Sequence, residues 1–171
     1  MPRRRRYPHR REGFTLIEAA IAVMVVGLGI VSLVHAMGAG TRVNATGRDI
    51  TTATFLAQEV REWTLGLPFS DPDPGDADNP PGPDGSDPHM FVDDLDDLMS
   101  TTFSPPRDGQ GYVIDGMDDW SQLIGMGWRD PDSLTTTVPA GTSDVVNVIV
   151  LICHKQEIVL ITSWLVTRRT Q

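Results

Sequence analysis

The residue that most needs a chemical reason is Glu18. It is the only formally charged side chain between Phe14 and Met37, in a run of otherwise almost wholly apolar residues. A carboxylate one turn into such a segment is costly in hydrocarbon, and by default it marks function. Other reactive types are scattered. Cys153 is the only cysteine, so neither an intramolecular disulfide nor a cysteine zinc cluster can form. In an apolar, strand-like run it reads as a small hydrophobe. Asp71, Asp73, Asp76 and Asp78 are carboxylates of the kind calcium takes. Their spacing lacks the sixth-position glycine and twelfth-position glutamate of an EF-hand loop, so a solvated acidic loop is the expectation and calcium the subordinate reading. Asp93, Asp94, Asp96 and Asp97 come in pairs, yet no nucleophile or histidine pair accompanies them. They are expected to face water. With no Ser–His–Asp order, metal cluster or phosphate loop, the sequence predicts no enzyme and no cofactor.

Charge is divided sharply along the chain. The 171 residues carry a formal net charge of −9. Six of the 14 basic residues but only one of the 23 acidic ones lie in residues 1–13, so residues 14–171 carry a net −14. A basic head on an acidic body suggests two compartments. The acidic body disfavours nucleic acid as a partner, because phosphate binding needs clustered Lys and Arg. The 24 residues from Phe14 to Met37 would span about 36 Å as a helix, enough to cross a bilayer. Arginines before that run predict a cytoplasmic N-terminus and a body across the membrane, periplasmic or extracellular. A cleaved secretory signal would have a shorter apolar stretch. A plain signal anchor leaves Glu18 unexplained.

Gly13-Phe14-Thr15-Leu16-Ile17-Glu18 resembles the processing site of type IV prepilins. The resemblance implies cleavage between Gly13 and Phe14 by a prepilin peptidase, followed by N-methylation of Phe14. It also implies that Glu18 meets the N-terminal amine of a neighbouring subunit and helps set the stagger of assembly. Two charges that are each unfavourable in lipid would neutralise one another. The family often has a glycine near Gly27 and a proline further on, where this sequence has His35. His35 is expected to mark the headgroup boundary. Later features are similar to minor pilins of the PilV type: Ala57-Gln58-Glu59, Asp119-Trp120-Ser121-Gln122 and Thr167-Arg168-Arg169. Type II secretion pseudopilins are the other resemblance, and some hold calcium in a loop. The cysteine pair that staples many pilins is missing.

The elements that must carry these residues follow from periodicity. Val43, Ile50, Ala53, Leu56, Ala57, Val60, Trp63 and Thr64 recur at spacings of three, four and seven. One helix from about Phe14 to Leu65 is expected, stopped by Gly66 and Pro68. Residues 70–89 are Pro-, Gly- and Asp-rich and read as loop. Residues 90–103 suggest a short helix. Three antiparallel strands are expected near 119–129, 145–153 and 157–167, the last two joined at His154-Lys155-Gln156 with His154 exposed.

The fold class is therefore α+β: a long N-terminal helix packed on a small antiparallel meander of about three strands. The segments are a basic leader (1–13), a transmembrane and assembly half-helix (14–40), an amphipathic half-helix (41–66), an acidic loop (67–117) and the sheet (118–171). The expected role is a structural subunit, a minor pilin or pseudopilin of a pilus or secretion-like filament, in a single-pass inner-membrane chain that later enters the filament. Its partners would be other pilin subunits, prepilin peptidase and inner-membrane lipid. The alternative is a filament-tip binding module for calcium, adhesion or DNA uptake on the same scaffold.

Overall fold

The computed structural model describes residues 13–71, 81–84 and 92–168. Helix α1 runs Leu16–Gly66, and β-strands follow at Thr101–Phe103 (β1), Trp120–Asp130 (β2), Ser133–Thr137 (β3), Val145–His154 (β4) and Glu157–Thr167 (β5). The chain divides into two compact units, Met1–Ala45 and Thr46–Gln171.

In the first unit the helix surface is uncovered. Leu16, Ile21, Val25, Leu28, Val31 and Leu33 are exposed. Ser32 turns its hydroxyl back to the Leu28 carbonyl at 2.8 Å, so this polar group is satisfied within the helix.

In the second unit, Ala53, Leu56, Ala57, Val60, Trp63 and Thr64 form the buried stripe of α1. Val43 and Ile50 of the expected stripe are exposed instead. The helix ends where Leu67 N–H bonds the Trp63 carbonyl at 3.1 Å, before Pro68 removes the next donor.

The sheet is antiparallel in the order β1-β2-β4-β5, with β3 hairpinned onto the end of β2. Register stacks core residues in rows. Trp128, Val146 and Val166 form one row, and Ile124 and Val150 pair in another. These side chains join the α1 stripe, Leu95, Leu98 and Phe103 in one hydrophobic cluster. The three expected strands are present within a residue or two. The count is five rather than three, because β1 has three residues and β3 is wholly exposed Ser and Thr flanking one Leu.

Three expectations are corrected. Residues 90–103 hold no α-helix among their described part: a 3-10 turn spans Asp96–Leu98 and β1 follows. Three of the four aspartates do not face water, since Asp94, Asp96 and Asp97 are 3%, 6% and 2% exposed, while Asp93 is exposed as expected. Their carboxylates accept backbone N–H bonds, which compete with helical pairing. His154 is likewise not simply exposed. Its ring stacks on Trp120 at 4.4 Å between centroids, and its Nδ1 lies 3.6 Å from Asp49 of α1. The β4–β5 turn is made by Lys155 and Gln156, both with positive φ (50° and 70°), as a two-residue hairpin of this twist requires.

Candidate functional site

The candidate site is the start of α1. Gly13, Phe14 and Thr15 precede the helix, which begins at Leu16. Thr15 caps it: the Glu18 N–H donates to Thr15 Oγ1 at 3.3 Å and to the Thr15 carbonyl at 3.1 Å. Thr15-Leu16-Ile17-Glu18 thus has the spacing of a capping box, a threonine at the cap and a glutamate three residues on. The threonine and glutamate at this spacing are the sequence signal of the cap.

Glu18 lies in the first turn, where the positive end of the helix dipole favours an anion. Its side chain is exposed, and among the described residues it makes no ion pair. A cation arriving from outside the folded chain would meet no competing partner. Gly13 has open space where a Cβ would stand, as do Gly27 and Gly29. Packing among the described residues therefore gives no reason for glycine at these places.

The remaining candidates do not converge on this point. Asp71 lies among the described residues; Asp73, Asp76 and Asp78 lie outside them. Among the described residues no group of three or more His, Cys, Asp or Glu is placed to hold a metal ion. An open groove of about 580 Å³ runs between the ends of α1 and β5, lined by residues including Phe69, Leu165 and Arg168. Arg168 sits over the Phe69 ring at 5.0 Å and pairs with Asp144 at 3.0 Å. Cys153 is half-buried on β4 with a free thiol.

The first part of α1 meets the length and composition of a membrane span, with a mean hydropathy of 2.5 over its most apolar 18 residues and none of that window buried. An uncovered apolar helix of this kind is consistent with a membrane-anchored protein. No curated protein and no solved structure matches the chain significantly. Residues 8–34 match the family model described as the prokaryotic N-terminal methylation motif. With that motif running into a long apolar N-terminal helix, and that helix packed on an antiparallel sheet, the chain matches a type IV pilin-like protein.

Proposed function

We propose that the chain is a minor pilin or pseudopilin subunit, cut between Gly13 and Phe14, N-methylated on Phe14 and docked through Glu18. The methylation motif supports a pilin or pseudopilin subunit in general, and it marks structural proteins rather than enzymes. The observation that carries the finer reading is the pairing of that motif with an apolar helix surface that nothing covers among the described residues of its own unit. Such a surface needs lipid before assembly and other helices afterwards.

In this reading residues 1–13 are a leader held at the cytoplasmic face by their arginines. Removal of the leader creates an amine at Phe14. Glu18 of a neighbouring subunit receives that amine, which places one subunit at a fixed axial step from the next. The acidic second unit lies on the far side of the membrane and then along the filament. Open space at Gly13 supports selection for something other than packing, such as fit in a peptidase cleft.

The test is the mass and N-terminal sequence of the protein from cells with and without prepilin peptidase. A mature chain starting at methylated Phe14, found only when the peptidase is present, is the expected result. The same mass in both strains would sink the reading.

A further inference from the structure

The buried aspartates Asp94, Asp96 and Asp97 pose an electrostatic problem that the filament role does not touch. Asp97 is an acceptor on both oxygens. Its Oδ2 takes the N–H groups of Asp93 (2.9 Å) and Asp94 (3.3 Å), and its Oδ1 takes that of Asp84 (2.8 Å). Asp96 Oδ2 accepts from Gly82 N–H at 2.7 Å. These bonds tie residues 81–84 to residues 92–98. A second tie reaches α1's end, where Leu95 N–H donates to the Pro68 carbonyl at 3.0 Å.

Asp94 differs from its neighbours. Its Oδ1 accepts from Asp96 N–H (3.0 Å) and Asp97 N–H (3.2 Å), but its Oδ2 is buried and receives no donor. No Lys, Arg or His pairs with it among the described residues. The charged groups that act on it are Asp96 and Asp97, both acidic. Asp84 approaches the cluster through its backbone N–H to Asp97. An ionised oxygen left buried and unpaired is costly, whereas a protonated one becomes a donor.

We infer that Asp94 is a neutral carboxylic acid in the folded protein, with its Oδ2 proton donated to the Asp96 carboxyl, and that this proton supports the tie to residues 81–84 that Asp96 makes through the Gly82 N–H. Burial, then the hydrogen bond and charge of Asp96, push Asp94 up to about 8 from the ordinary 3.8, and the charge of Asp97 adds to the rise. The folded chain thus keeps a proton that the unfolded chain releases. The stabilising effect is complete below pH 3.8, declines between there and about pH 8, and is gone above.

The test compares the full chain in detergent with Asp94→Asn, whose amide keeps the shape and the donor at every pH. Over about pH 5 to 8 the wild type should lose ground to the variant by up to about tenfold per pH unit in the unfolding equilibrium constant. The gap should stop widening above about pH 8. A gap independent of pH overturns the inference. Should the variant not fold, the wild type alone decides: an infrared band of a protonated carboxyl at neutral pH, fading as the pH rises past about 8, is expected, and its absence at neutral pH overturns the inference. Stabilisation of the wild type by added calcium, reversed by chelator and absent in the variant, would also overturn it, because a cation would then hold the place of the proton.

Discussion

Gln122 on β2 donates through Nε2 to the Leu56 carbonyl of α1 at 3.1 Å, in a core where both residues are fully buried. The same Nε2 donates to the Arg107 carbonyl at 2.9 Å, and Oε1 accepts the Arg107 N–H at 2.7 Å. One amide therefore fastens helix, sheet and the 104–117 loop. Its position on the alternating face that carries Trp120 and Ile124 placed it inward; its chemistry required these partners.

Gln122→Leu should destabilise the second unit by about 1–3 kcal/mol, because the Arg107 N–H and carbonyl lose their buried partner. Denaturant unfolding followed by tryptophan fluorescence measures it. A loss below about 0.5 kcal/mol would mean that the loop finds water or repacks.

Thr64 offers a second test of buried polar satisfaction. It stood in the expected apolar stripe, and it is buried, but its hydroxyl matters. Thr64 Oγ1 accepts the Trp164 Nε1–H at 3.1 Å and donates to the Arg61 carbonyl at 2.9 Å. Thr64→Val keeps the shape and strands the indole N–H, so about 1–2 kcal/mol should be lost by the same measurement. Thr64→Ser should recover most of that loss.

The long helix and the three main strands were legible because each shows a clean period. Leu56, Val60 and Trp63 recur at helical spacing, and Trp120, Gln122, Ile124 and Trp128 alternate. The rest had no such signal. Thr101–Phe103 is too short to show a period, and Ser133–Thr137 is exposed throughout and paired only at the end of β2. Asp96 and Asp97 carry the solvated pattern of most charged residues; in the fold they accept the N–H groups of residues 82 and 84, which no local pattern announces. Of the candidate site, Glu18 was visible as a charge in an apolar run. In the proposed reading its partner is the amine of another subunit, which neither the sequence nor one folded copy displays.

The helix stripe can be tested at its two ends. Leu56 is fully buried, so Leu56→Ala should cost about 2–5 kcal/mol. Val43 is 70% exposed, so Val43→Ala should fall within about 0.5 kcal/mol of wild type, although both residues sit on the same predicted stripe. Equal effects would show that the stripe is covered along its full length.

Gly111 is constrained twice. Its φ is +83°, and a Cβ there would stand 2.9 Å from Trp63 Cζ2. Gly111→Ala should therefore cost about 1–3 kcal/mol, combining left-handed strain with displacement of the indole from its packing on Phe103. Gly116 has a similar φ of +77° and nothing near its Cβ position, so Gly116→Ala isolates the backbone part. A near-UV circular dichroism change for Gly111→Ala alone would show that the tryptophan moves.

Glu18 separates folding from assembly. It lies on an exposed first turn of the first unit and is not one of the residues that make the second unit's core, so its removal should leave the unfolding of that unit unchanged. Glu18→Ala should still insert in the membrane, since it makes the segment more apolar. Incorporation into filaments should fall by about an order of magnitude or more, because the amine of the neighbouring subunit would be left unpaired in lipid. Glu18→Gln, which keeps size and hydrogen bonding but not charge, should fail comparably, whereas Glu18→Asp should retain part of the function. Thr15→Ala controls for the helix cap, which is worth about 1 kcal/mol and carries no charge. Quantifying sheared filaments against membrane-retained protein reads each variant. Wild-type incorporation of Glu18→Ala, or equal loss from Thr15→Ala, would remove the charge pair from the account and leave the apolar helix surface as the determinant of assembly.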